Sequence, residues 1–169
     1  MNVRLVTAIT AVLAVLAFGY AAWAGVSWYS ASHSDSSEFA AHRDEALAAG
    51  QTGINNFLTL DYHKVDEDLN RWLSSSTGEL RAEIDKDKDA RKKQLVDAKT
   101  VTTSKVLDAA VTELDDRSGK AKVIAVVEST VTPEGGQAVR KVNRYITELT
   151  RTEDGWKLSQ LGPLRAGGA

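Results

Sequence analysis

The spacing of hydrophobic positions changes three times along the chain. From Leu5 to Tyr29 apolar residues are nearly continuous, and no side chain carries a formal charge. A helix rises 1.5 Å per residue, so roughly 20 such residues cross a hydrocarbon core about 30 Å thick. No water serves the backbone there, so a run of this kind is expected to be a transmembrane helix. Trp23, Trp28 and Tyr29 close the run and read as an interfacial aromatic belt. Arg4 precedes it, whereas the first charge after it is Asp35 and the first cation is Arg43. That asymmetry predicts a cytoplasmic N-terminus and an extracytoplasmic remainder in a single-pass protein of the cell membrane. The competing reading is a signal peptide cleaved after Ala24, because Ala22-Trp23-Ala24 fits an A-x-A site. The run is longer than an ordinary apolar signal region of about 7–15 residues and continues through Val26 and Trp28. Both readings export the remainder of the chain.

Ser30 to Ser37 is a polar linker, and Asp35 with Glu38 has the spacing of a capping box. Helical periodicity then predicts a first helix over Ser37 to Leu60, with Phe39, Leu47, Ile54 and Leu58 near one face and Ala46, Gly50 and Phe57 beside them. A second helix is expected near His63 to Leu73, with Val65, Leu69, Trp72 and Leu73 apolar. Thr77 is placed to cap a third, over Gly78 to Ala98, that buries Leu80, Ile84, Leu95 and Val96. Asp87–Arg91 and Asp89–Lys93 have favourable i,i+4 spacing on it. From Thr100 the period falls to two and β-branched residues dominate. Strands are predicted over Thr100 to Leu114 (Val101, Leu107, Ala109 and Val111 on one side), Lys120 to Thr132 (Ala121, Val123, Ala125, Val127 and Val131 on one face), Ala138 to Thr152 (Val142, Tyr145, Ile146, Leu149) and Trp156 to Leu161. Ile124 and Val126 on the second face of the Lys120 strand suggest a central position. Turns at Asp115–Gly119, Pro133–Gly136 and Glu153–Gly155 are short enough for a consecutive antiparallel meander. The expected fold class is α+β: an N-terminal transmembrane helix, then three helices packed on a curved four-stranded antiparallel sheet, a cone-like arrangement. The domains are residues 1–29 (cytoplasmic tip and membrane helix), 30–37 (linker), 38–164 (extracytoplasmic domain) and 165–169 (tail).

Composition narrows the function classes. The net charge is −2, which gives no basic footprint for nucleic acid. There is no cysteine, which excludes a disulfide and lipid attachment at a cysteine, so an ordinary hydrophobic core must hold the exported domain. His33, His42 and His63 have no second ligand at metal spacing, and Asp66-Glu67-Asp68 lacks the glycine-centred loop of a calcium site. No metal, no cofactor and no catalytic residue is therefore assigned. The acidic triplet reads as the solvated face of a short helix, and the charge run from Asp85 to Lys93 as solvent-facing. Were the domain a cavity enzyme, its acid would come from Asp108, Glu113, Glu128 or Glu148, with Glu128 interrupting an apolar strand. Glu113 and Glu148 could equally pair with Lys105 or Arg144 on an outer face. Trp72, Tyr145 and Trp156 read as core aromatics.

Leu60-Asp61-Tyr62, Asp66-Glu67-Asp68-Leu69, Trp72-Leu73, Thr77-Gly78, Lys99-Thr100-Val101, Ala121 to Val127 and Asp154-Gly155-Trp156-Lys157-Leu158-Ser159 occur in an order that resembles the Mce-associated membrane proteins of actinobacteria, within the nuclear-transport-factor-2-like or SnoaL-like superfold. The resemblance spans most of the chain after the apolar run. It implies a non-catalytic, membrane-anchored accessory protein of the cell envelope that binds or stabilises an Mce-type lipid import complex. Its partners would be the lipid bilayer, envelope transporter subunits and, for self-association, further copies of itself. The same layout also suits a single-span component of a type IV secretion or conjugation channel. A cavity enzyme or small-lipid carrier is a third reading.

Overall fold

A computed structural model describes residues 16–29 and 35–164. The first part of the expected membrane run, most of the expected linker and the tail 165–169 lie outside the described residues. The chain divides into two compact units, Met1–Ala41 and His42–Ala169.

In the first unit, residues 16–29 are helical and form α1. Its apolar side chains are turned outward, with Phe18 and Trp28 each 80% exposed. Among the described residues no helix is long and apolar enough to cross a membrane. The next helix, α2 (Asp35–Leu58), starts two residues before the position the sequence pattern predicts. The expected linker is therefore shorter, and Asp35 lies inside the helix. Phe39, expected on the buried face, is exposed.

The second unit holds the rest of α2, then β1 (Leu60–Asp61), α3 (Val65–Ser75), α4 (Gly78–Lys86), α5 (Lys88–Ala98), β2 (Thr100–Asp115), β3 (Lys120–Pro133), β4 (Val139–Thr152) and β5 (Gly155–Pro163). The sheet is antiparallel throughout with order β1-β2-β3-β4-β5, so β3 is central, as its two apolar faces suggest. Among the described residues there are five strands rather than four. The extra one, β1, has only two residues, and pairs Leu60 with Thr102 and Asp61 with Val101. Two residues are too few for an alternating pattern to register.

The core lies between α2 and one face of the sheet. Ala46 and Ile54 from the helix meet Val123, Val127, Leu149, Trp156 and Leu158, all buried. Gly50 and Gly53 make this approach possible. A Cβ on Gly50 would sit 3.1–3.2 Å from the side-chain atoms of Val123, and one on Gly53 would run into the Leu158 Cδ1 atom. Glycine costs a helix roughly 1 kcal/mol relative to alanine, and here that cost is offset by direct contact between helix backbone and sheet. α3 adds Val65 and Leu69, and α4 adds Ile84. Thr77 is the residue before α4, as expected, but its side chain makes no capping bond. Its backbone is extended, and its N–H donates to Leu158 O at 2.8 Å, beside a parallel bridge between Ser76 and Leu158.

Several local expectations are corrected. The third helix is two helices, broken at Asp87 (φ −102°, ψ 15°). The break falls in Asp85-Lys86-Asp87-Lys88-Asp89, where no apolar side chain anchors the turn to the core. Arg91 consequently reaches Glu83 at 2.8 Å instead of Asp87, and among the described residues neither expected i,i+4 pair forms. α5 buries nothing, so Val96 is exposed and Leu95 only half-buried. Leu107 does not face the core either. β2 carries two bulges, between Val106 and Asp108 and between Val111 and Glu113. A bulge inserts one residue and shifts the alternation beyond it. Val106, Ala109, Val111 and Leu114 therefore pack inward, and Leu107 is 49% exposed. β5 runs on through Gly162 and Pro163, beyond its expected end at Leu161.

Candidate functional site

Three places in the second unit gather polar chemistry: the corner around β1, the tip where α2 meets the β2–β3 turn, and the outer face of the sheet.

The corner is built by α2, β1 and α3. Asp68 is buried (3% exposed), contrary to its reading as part of a solvated triplet; Asp66 and Glu67 are exposed. Its carboxylate accepts the Asp61 N–H at 2.6 Å and pairs with Arg71 Nη2 at 2.6 Å. Arg71 also donates to Thr59 O at 3.0 Å, and the Trp72 indole N–H donates to Asn56 O at 3.1 Å. Trp72 stacks on Phe57 with ring centres 5.5 Å apart and planes 4° from parallel. Together these contacts satisfy carbonyls left open at the end of α2. The residues between Leu60 and Leu73 that carried the family likeness thus hold the corner where the chain passes from α2 through β1 to α3.

The exposed side of the corner is an ionic cluster. The Asp61 carboxylate accepts the His63 N–H at 3.0 Å and lies 2.8 Å from His63 Nδ1. The backbone N–H of His63 above all, and then its ring, hold the Asp61 carboxyl below its ordinary value. Lys99 has left-handed backbone (φ 47°) and ends α5. Its ammonium meets Glu134 at 2.7 Å, and the Tyr62 hydroxyl donates to the same carboxylate at 3.0 Å. The bond from Lys99, then that from Tyr62, lowers the Glu134 pKa, and Glu134 raises that of Lys99. Desolvation, then Glu134, pushes the Tyr62 phenol up.

A pH dependence arises from Glu134. Its folded pKa is below the ordinary value of 4.5, so the folded chain binds that proton less readily than the unfolded one. The contribution is complete above the unfolded value and is lost as pH falls through the folded one. Glu134→Gln should melt below the wild type at pH 7, and that gap should close below about pH 4 and narrow in high salt. Thermal melts of both proteins at pH 7 and pH 3 check this; a gap that persists at pH 3 would remove the ion pair as its cause.

At the tip, His42 Nδ1 lies 2.5 Å from Asp116 Oδ1, and Arg151 binds that same carboxylate oxygen at 2.8 Å. The Arg151 guanidinium also covers the Trp156 ring, 5.7 Å from its centre. These contacts tie α2 to the sheet. Among the described residues no His, Asp and Glu cluster has the makings of a metal site.

The structure places the four candidate acids together on the outer face, away from the helices. Glu128 lies between two inward residues, Val127 and buried Ser129, and pairs with Arg140 at 3.4 Å. Glu113 and Glu148 both flank Lys122, at 2.8 and 4.0 Å, rather than Lys105 or Arg144. Asp108 borders a shallow apolar groove floored by Ala110, Ile124 and Val126 and walled by Arg144 and Leu164. None of these acids faces the inner side, where burial against apolar residues would tune it. Sequence parity carried this signal, because Ala121, Val123, Ala125 and Val127 point inward and Glu128 must then point out.

Comparison with known proteins gives a consistent picture. Residues 3–162 match the family described as uncharacterized protein Rv1363c/MT1408-like. The uncharacterized protein Rv1363c of Mycobacterium tuberculosis is 31% identical over 162 residues, which is 94% of this chain and 59% of that protein. The chain thus spans less than two-thirds of the relative's length. Among solved structures, an IcmL-like type IV secretion system protein of Legionella pneumophila superposes with a TM-score of 0.58 at 9% identity, covering 75% of this chain and 96% of that one. CagV of Helicobacter pylori, a VirB8 homologue of a type IV secretion system, gives 0.54 at 8% identity, covering 73% and 99%. At such identities the likeness is one of fold, a curled antiparallel sheet with helices on one side.

Proposed function

The chain belongs to the Rv1363c/MT1408-like family, and from that premise we propose that it is a non-catalytic subunit of a cell-envelope complex, anchored by its N-terminal apolar segment with the sheet domain on the outer side of the membrane. The observation that carries this reading is the filled inner face of the sheet. α2 lies on it backbone-close at Gly50 and Gly53, with Ile54, Val123, Leu158 and Val127 packed between. A substrate chamber would need that space. The surfaces left for function are external, as suits a protein that works by contact.

The type of complex favoured is a secretion or conjugation channel, because the fold is shared with type IV secretion proteins. The Mce-type lipid importer rests on the sequence motifs, and those at the β1 corner have structural work to do. The outward apolar side chains of α1 support a membrane-facing role for that segment.

The test is affinity purification of the tagged full chain from solubilised membranes of its own cells, with protease applied to intact cells in parallel. The expected result is co-purification of integral envelope subunits together with a secretion-type ATPase, and digestion of the sheet domain from outside. Lipid-importer subunits in their place would shift the reading to that complex. A sheet domain digested only after lysis would overturn it.

A further inference from the structure

The first part of β4 lies at an open edge of the sheet. The chain of β5 follows β4 only as far as Arg144, where the Leu164 N–H donates to Arg144 O at 2.9 Å. Val139 to Asn143 therefore have β3 on one side and, among the described residues, no strand on the other. Their pairing with β3 runs without a register shift, and every residue from Val139 to Arg144 is exposed. Successive residues of a strand turn their N–H and C=O groups to opposite sides. Arg144 turns its carbonyl towards Leu164, so Val142 and Arg140 turn their amides and carbonyls to the open edge. By the same alternation Arg140, Val142 and Arg144 line the outer face, and Val139, Lys141 and Asn143 the inner one. Val139 and Val142 are 49% and 57% exposed. The segment from Val139 to Arg144 holds three cations and no acid. Arg140 has Glu128 at 3.4 Å, whereas Lys141 and Arg144 have no ion pair among the described residues. Asp108 shares a cross-strand row with Arg144 but stands on the far side of Val126.

We propose that this edge receives an extended acidic segment of another polypeptide, added antiparallel to β4 as a further strand. The backbone groups select an extended chain, because that geometry meets the N–H and C=O of Arg140 and of Val142 in turn. Charge selects the side chains. A residue opposite Val142 lies diagonal to both Arg140 and Arg144, within reach of long side chains, and its neighbour lies opposite Lys141. Glutamates at these two adjacent positions meet all three cations, one acid on each face of the sheet. An apolar residue opposite Val139 completes the contact. Basic residues on an edge turn away neutral and basic strands, so the same side chains give the edge its preference. A second copy of the chain does not fit. Each antiparallel register that joins the open amides of two copies opposes Arg140 to Arg140, Lys141 to Lys141, or Arg140 to Arg144. The residues that follow Leu164 carry a cation, two glycines and no acid, so they do not supply the charge either.

The proposal rests on the sheet alone and not on the envelope reading, and its test uses no envelope component. The probe is a dye-labelled, end-capped octapeptide of Thr and Val with two adjacent central Glu residues, titrated into the full chain in nonionic detergent at low salt. Fluorescence anisotropy should give a Kd on the order of 100 µM, and the same peptide with Lys for Glu should bind at least about tenfold more weakly. Hydrogen exchange locates the contact. At saturating peptide the Arg140 and Val142 amides should slow about tenfold, while those of Lys141 and Asn143, which face β3, should not change. Lys141→Glu combined with Arg144→Glu should weaken binding at least about tenfold. Val142→Pro removes an N–H that serves only the open edge and should abolish binding. Circular dichroism checks that both variants fold, and the charge variant carries the test if the proline loosens the strand. Failure of the Glu peptide to bind at about 1 mM, equal binding of the two peptides, a folded charge variant that binds like the wild type, or binding that leaves the Arg140 and Val142 amides unprotected would overturn the proposal. So would slow exchange of those amides in the free chain, the mark of an edge already covered by the chain itself or by a second copy.

Discussion

Truncating Leu158 to alanine should cost about 3–5 kcal/mol, a large share of the stability of a domain this size. Leu158 is 1% exposed, and its side chain fills the space above Gly53. Its backbone is fixed independently, by the Thr77 N–H and by pairing with Leu149. The strand therefore cannot slide inward to close the cavity, and α2, already backbone-close at Gly50, cannot follow. Both constraints push the cost toward the upper part of the range seen for leucine truncations. Urea denaturation is the measurement: the midpoint should fall sharply with an unchanged slope. Leu107→Ala is the comparison, since this exposed bulge residue should change stability by less than about 0.5 kcal/mol. Equal losses at the two positions would mean that the core is not where the packing places it.

Asp68→Ala should cost about 2–4 kcal/mol. The side chain of Asp68 is 5% exposed and that of Arg71 is 33% exposed. Removing the carboxylate takes the acceptor from the Asp61 N–H and leaves the guanidinium with backbone carbonyls alone. Arg71 can turn partly to water, which keeps the loss below that of a wholly enclosed pair. Asp68→Asn keeps an acceptor for the Asp61 N–H, so it should lose about half as much. Thermal melting gives the totals, and hydrogen exchange at the Asp61 amide gives the local effect, which should be faster exchange in the alanine variant. An alanine variant that melts with the wild type would show that the corner is held by Phe57 and Trp72 instead.

The central strand and the helix that covers it are legible in the sequence because each has one dominant period. Ala121 to Val127 alternates without interruption, and Ala46, Gly50, Ile54 and Phe57 recur at helical spacing. The features that escape such a reading are local. Leu107 reads as inward when alternation is carried through β2, and a bulge leaves no mark in composition. β1 is too short to have a period. Asp68 shares a helix face with Val65, Leu69 and Trp72, and that spacing points inward. Grouping it with Asp66 and Glu67 by charge conceals this. The Asp87 break lies where nothing apolar reports on geometry. The outer-face row of Asp108, Val126 and Arg144 comes from three separate strands, so only the register assembles it.

The brevity of β1 leaves most of β2, from Thr103 to Asp115, without a paired strand on one margin among the described residues. Such a margin is ordinarily a template on which another polypeptide can zip backbone to backbone. The extra residues at Leu107 and Thr112 break the regular spacing of its amides and carbonyls, so an incoming strand would lose step within a few residues. Copies of the chain are thereby kept from runaway stacking along that margin.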